Sequence, residues 1–248
     1  MESALKYGKK GFNFRFPDEV EFLKPAEPEC NFNKKIFQKN FSEKMPKDKS
    51  CYVNVGIIVA DKTRLCEYHL YLPWILEILH AKGAKKENIR IYIAYGTHPM
   101  QTQEESLSSY GEIFRTYNFI HHDCCDEAVL VELGITRRGT PVKIRRDAVK
   151  SSLIITFGAI SHHYFAGYGG GRKLLFPGLA GKNSIYKNHS LFLDCTKKIL
   201  AEGCQPGTLE GNPVAEDLKE IDDLMPPKVS VHGVLNSKGE VTDLFVGD

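Results

Sequence analysis

The stretch from Tyr52 to Ala60, Tyr-Val-Asn-Val-Gly-Ile-Ile-Val-Ala, is almost continuously apolar and β-branched. A strand with one wet face alternates apolar and polar residues, so a run of this kind has to be covered on both faces. That requirement points to a parallel sheet flanked by helices. The pattern recurs: Asn88 to Tyr95 and Ser151 to Phe157 are further apolar runs of strand length. Between the first two, Leu72, Ile75, Leu76 and Leu79 fall at helical spacing, and Gly83 supplies a stop. Thr102 and Glu105 have the spacing of a capping box, which predicts a helix to about Tyr110. The expected fold class is therefore α/β, a mostly parallel, Rossmann-like sheet with flanking helices.

The flanking segments are less regular. Residues 1–50 read as an arm: a half-buried strand over Gly11 to Phe16, breaks at Pro17, Pro25 and Pro28, and a short amphipathic helix from Asn33 to Lys44. Residues 51–248 read as the main domain. Asn118 to His122 and Ala128 to Leu133 are expected to be extended, and Gly139-Thr-Pro-Val142 turns the chain into another strand. Asn183 to Leu193 reads as a helix with His189 near its middle. Pro213 suits the opening of a helix over Val214 to Leu224, and Val229–Leu235 with Glu240–Val246 makes a hairpin.

At 248 residues with 42% hydrophobic side chains, the chain can bury a full core. A net charge of +2 gives no electrostatic reason to expect nucleic acid or a membrane surface as partner. No apolar run approaches the roughly 20 residues of a membrane span, and the first ten residues lack a signal-peptide core. A cytoplasmic protein is expected. Seven cysteines without a C-x-x-C pair suit free thiols in a reducing compartment. Cys124-Cys125 after His121-His122-Asp123 has metal-ligand chemistry, but adjacent ligands rarely close on one ion, so the segment reads as partly buried and reduced.

Chemistry concentrates in Ser161 to Gly181. Gly167, Gly169, Gly170, Gly171, Gly178 and Gly181 share that segment with His162, His163, Arg172 and Lys173, a mixture no core requires. Glycines let backbone N–H groups approach an anion, and the imidazoles can carry protons or ligate metal. Neither the Walker nor the dinucleotide spacing is present. Asp61 and Arg64 follow the first strand, and His98 follows the second in Gly96-Thr-His98. Open α/β sheets form their sites at such strand ends. Arg64 there could hold a carboxylate or phosphate, or could simply pair with Asp61. One of His162 and His163 faces the site, and the sequence leaves open which.

Asp61-x-Thr-Arg64, Gly96-Thr-His98, His163 ten residues before Lys173 in a Gly-Gly-Arg-Lys setting, and Asn188-His189 together resemble the nickel-pincer-nucleotide enzymes typified by lactate racemase. Gly139-Thr-Pro-Val142 and Phe176-Pro-Gly178 are similar to that family as well, and the likeness runs from about Tyr52 to Asp248. The resemblance implies a cofactor, pyridinium-3,5-bisthiocarboxylic acid mononucleotide nickel, joined to Lys173 through a thioamide, with His189 as a nickel ligand. It implies His98 and His163 as the two histidines that exchange a proton with the substrate hydroxyl, and Asp61 and Arg64 as substrate-positioning residues. Thr63 and the Gly169, Gly170, Gly171, Arg172 backbone are implied phosphate contacts. The implied activity is racemisation or epimerisation of a small-molecule 2-hydroxy acid by transient hydride transfer, with cofactor-maturation proteins as partners. The family's second, C-terminal domain would begin where this chain reaches Phe245-Val-Gly-Asp248, so the chain is expected to be the N-terminal domain of a two-domain enzyme. Two other readings use the same residues: a zinc-dependent hydrolase built on His98, His163 and His189, and a non-catalytic phosphate- or nucleotide-binding module.

Overall fold

The structure is a computed structural model that describes residues 2–7, 10–17, 21, 26–30, 32–226 and 228–247. Pro25 and Asp248 lie outside them. Strands β1 (Glu2–Tyr7) and β2 (Lys10–Arg15) form an antiparallel hairpin. The side chains of β2 are exposed along its length, so the half-buried strand expected over Gly11 to Phe16 is corrected there. Helix α1 (Lys34–Lys44) is capped by the Asn33 side chain, which accepts from the Ile36 N–H at 3.0 Å, and Phe37 and Phe41 enter the main core.

The core is built on β3 (Val55–Ala60), buried at every position. The chain reaches it through a short 3₁₀ turn over Lys49–Tyr52, so Tyr52 precedes the strand that its sequence suggested it would open. Helix α2 (Tyr68–Ala81) follows, burying Leu72, Ile75, Leu76 and Leu79. Gly83, at φ +101°, lets the Ala84 N–H reach back to the Leu79 carbonyl at 2.9 Å. Then come β4 (Ile89–Ala94), α3 (Gln103–Tyr110), whose Thr102–Glu105 capping box is complete, α4 (Ile113–Thr116) and β5 (Asn118–His121). Strands β6 (Leu130–Ile135) and β7 (Pro141–Arg145) pair as a separate hairpin. The chain returns through α5 (Arg146–Val149) to β8 (Leu153–Ala159).

The Gly-rich segment holds the two-residue strands β9 (His162–His163) and β10 (Gly167–Tyr168), then α6 (Arg172–Leu175) and α7 (Lys182–Ser190). A small hairpin, β11 (Leu193–Asp194) with β12 (Ile199–Leu200), leads to α8 (Pro213–Asp222) and to the closing hairpin β13 (Lys228–Leu235) and β14 (Val241–Gly247).

Among the described residues the central sheet has six strands in the order β14-β13-β8-β3-β4-β5, parallel throughout except for β14 on β13. The chain starts in the middle at β3, runs out to β4 and β5, then crosses back to β8 and β13. The strand order therefore reverses between β3 and β8, and a crevice opens beyond their carboxyl ends. No helix among the described residues is long and apolar enough to cross a membrane.

Candidate active site

Asp61 leaves the end of β3 and is 3% exposed. Its Oδ1 accepts the Thr63 N–H at 2.7 Å and the Thr63 hydroxyl at 2.5 Å, while Oδ2 accepts from His98 Nδ1 at 2.6 Å. One carboxylate thus draws together the turns that follow β3 and β4. A carboxylate only accepts, so Nδ1 of His98 carries a proton, and the neutral tautomer this selects has its lone pair on Nε2. The local Asp61–Arg64 ion pair is not formed. Arg64 makes no ion pair among the described residues, and its guanidinium lines the crevice. Thr63 spends its N–H and hydroxyl on Asp61 rather than on the crevice.

Pairing of β9 with β10 decides between the adjacent histidines, because successive side chains of a strand point to opposite faces. His163 turns in and is 8% exposed, while His162 is exposed with its ring 5.3 Å from that of Tyr168. The Ala166 N–H donates to Nδ1 of His163 at 3.2 Å, which leaves the proton of the neutral ring on Nε2. Burial pushes His163 down to about 4, helped by the charges of Lys173 and Arg64. Lys173, in α6, is half-buried with its amine 5.5 Å over the Phe165 ring. Burial and then Arg64 push that amine down to about 7, so near neutral pH much of it is the free, nucleophilic base.

His189 stands at the carboxyl end of α7, not in its middle, because the helix stops at Ser190. Its ring meets Phe165 edge-on at 5.2 Å, and among the described residues its buried Nδ1 makes no well-formed hydrogen bond, although the Ile185 backbone one turn back favours the protonated ring. Burial, then Lys173, pushes it down to about 4. A neutral imidazole in the wall of such a cavity has the chemistry of a metal ligand.

These side chains meet. Asp61, Arg64, His98, His163, Gly169, Gly170, Lys173 and His189 line one cavity of about 120 Å³ at the β3–β8 reversal. Among the described residues Asp61 is the only acid in its wall, beside Arg64 and Lys173, so the cavity favours an anion such as a carboxylate or phosphate. Gly170, at φ +79°, has no room for a side chain, since a Cβ would lie 2.5 Å from the Ala159 carbonyl oxygen. Gly171 and Arg172 border a neighbouring cavity of about 380 Å³ instead. Among the described residues, His98, His163 and His189 do not bring three ring nitrogens within 4.8 Å of one another, the closeness a shared zinc ion demands.

The sequence pattern of the lactate racemase N-terminal domain matches residues 7–200, more than three quarters of the chain and every residue of this cavity. The chain belongs to that family. Two curated lactate racemases are similar to it. That of Thermoanaerobacterium thermosaccharolyticum is 28% identical over 98% of this chain and 58% of its own length. That of Lactiplantibacillus plantarum is 31% identical over 79% of this chain and 45% of its own length. The chain thus spans about half the length of the curated relatives it matches. Among solved structures, the lactate racemase apoprotein of T. thermosaccharolyticum superposes with a TM-score of 0.83 at 25% identity, covering the whole chain and 59% of that protein. A protein from Thermotoga maritima shares the fold, with a TM-score of 0.67 at 18% identity.

In this chain, sequence reasoning missed two supporting residues. The Tyr95 hydroxyl, 2.7 Å from His121 Nδ1, accepts the Gln101 N–H at 3.3 Å and holds the turn that carries His98. Asp217, fully buried in α8, accepts from the hydroxyls of Thr136 at 2.5 Å and Thr140 at 2.8 Å, and from Asn188 Nδ2 at 2.8 Å. It joins the β6–β7 turn, α8 and the residue before His189. The available signal was an acid on the apolar face of an amphipathic helix, beside family-like motifs at Thr140 and Asn188.

Proposed function

We propose that this chain is the cofactor-attachment and catalytic part of a racemase or epimerase of 2-hydroxy acids. The observation that carries the reading is the convergence of Lys173, His189, His98 and His163 on one anion-favouring cavity in a member of the lactate racemase family. The family's nickel-pincer nucleotide fits the donor set: Lys173 offers a nucleophilic amine, His189 a neutral imidazole in the cavity wall, and Gly169 and Gly170 an unobstructed wall. When bound, this group supplies an acceptor and donor of hydride beside C2 of the substrate. Arg64, which pairs with no carboxylate among the described residues, holds the substrate carboxylate. His98, oriented by Asp61, takes the hydroxyl proton at Nε2, and His163 meets the hydroxyl of the other enantiomer. Two such groups are needed because the hydroxyl lies on opposite sides in the two enantiomers. Joined to that group through a thioamide, Lys173 would carry no positive charge, and one cause of His163's low proton affinity would be gone.

The same reading takes residues 1–50 as an arm and 51–248 as the catalytic unit, placed in the cytoplasm and loaded by cofactor-maturation proteins. A further domain closing over the crevice would exclude water from the reaction. The test is chiral chromatography of lactate and larger 2-hydroxy acids incubated with the protein made beside those maturation proteins. Lys173→Ala should abolish cofactor retention, whereas His98→Ala should retain cofactor and lose racemisation. Racemisation by both variants would refute the assignment.

A further inference from the structure

A second cluster of ligand atoms lies away from this cavity, in the turn that follows β5. Cys124 Sγ and Cys125 Sγ are 4.0 Å apart, and a carboxylate oxygen of Asp123 lies with both inside 4.8 Å. Two thiolates bound at about 2.3 Å to one tetrahedral ion sit about 3.8 Å apart. Adjacent cysteines usually diverge too far for this, but here the turn sets both sulfurs on one side. Cys125 is exposed and gives an ion access, while Cys124 is buried at the base of the turn. Both are free thiols.

We propose that Cys124, Cys125 and Asp123 form a site for a thiophilic divalent cation of the zinc and cadmium type. Two sulfurs and one oxygen leave a fourth position open to water. Binding converts two thiols and one ion into a bis-thiolate complex and two released protons, so affinity rises with pH. The turn is joined to the start of α7. The Cys124 carbonyl accepts the Lys182 N–H at 2.9 Å, and His122 Nε2 donates to the Ala180 carbonyl at 3.0 Å. His122 is 2% exposed, and its Nδ1 has no hydrogen-bond partner among the described residues. An ion that fixes this turn therefore also stiffens the entry to α7, the helix that carries His189.

The test is titration of the chain with Cd²⁺ alone, reading the ultraviolet thiolate-to-metal absorption together with the protons released. One ion and two protons per chain are expected. Cys125→Ser, an exposed position that leaves the core intact, should weaken binding at least tenfold and remove part of the band. Asp123→Asn should weaken it several-fold, and Cys195→Ser should change nothing. An unchanged titration in Cys125→Ser would overturn the site. So would its loss in His189→Ala, which would move the ion to the main cavity; failure of the racemase reading leaves all of these outcomes unaffected.

Discussion

His98 and His163 are made different by what holds them. Asp61 keeps the proton of His98 on Nδ1, whereas the Ala166 N–H keeps that of His163 on Nε2. Asp61→Asn can offer an N–H to the ring and reverse the His98 tautomer, so it should cost about 10²- to 10⁴-fold in kcat while leaving cofactor content unchanged, as metal analysis and steady-state kinetics would show. Lys173 is the converse case, a side chain whose burial costs stability. Its folded amine titrates near 7, below its unfolded value, so the charged form that prevails in the unfolded chain is disfavoured on folding. Lys173→Met should therefore raise stability at pH 7 by about 2 kcal/mol in urea denaturation, after discounting for partial exposure. The same variant should raise the His163 pKa from about 4 in an NMR titration, though burial, the larger cause, will keep it below an exposed histidine. The identities of these residues were legible because strand-end placement and family-like spacing point the same way. Their tautomers were not, since each depends on a contact between segments such as Asp61 and His98 that no local pattern encodes. Neither was the task of Thr63, which serves Asp61 across a two-residue turn.

At the scale of elements, the apolar runs that became β3, β4 and β8 were readable because burial on both faces leaves no polar alternation to mislead. The strand at Lys10–Arg15 was misjudged for the opposite reason: Phe12 and Phe14 alternate as a half-buried strand would, yet both are exposed. Helix α7 was found but ended three residues early, which moved His189 from its middle to its end. What fixes that end is Asp217, whose carboxylate takes two threonine hydroxyls and the Asn188 amide in a fully buried pocket. Asp217→Ala would leave those donors unsatisfied and should cost about 4 kcal/mol in chemical denaturation, roughly the sum of several buried hydrogen bonds. Asp217→Asn should cost less and should still disturb the NMR signals of the His189 ring, the residue next to Asn188. A ring unaffected in that variant would show that the clamp serves the fold alone.

For the whole molecule, the reversal of strand order between β3 and β8 determines where chemistry can occur, and it gathers residues from three strand ends into one crevice. That concentration has a measurable consequence for stability. His163 and His189 both titrate near 4 in the folded chain, against about 6.5 when unfolded. The unfolded state therefore takes up protons first as pH falls, and their contribution, full above about 6.5, is lost progressively toward 4. Tm should drop across that window, and the slope should be shallower in His163→Gln and in His189→Gln. The sequence contained the strands but not the crossing order, because the return from the β6–β7 hairpin to β8 depends on long-range pairing. The central claim is that the cavity receives a group covalently joined to Lys173. Mass spectrometry of the Lys173 peptide tests it most directly, on protein made beside cofactor-maturation proteins that load a full-length lactate racemase in the same cells. A cofactor adduct on Lys173, absent from Lys173→Ala, is the predicted result; an unmodified Lys173 peptide, with the full-length control loaded, would contradict the account.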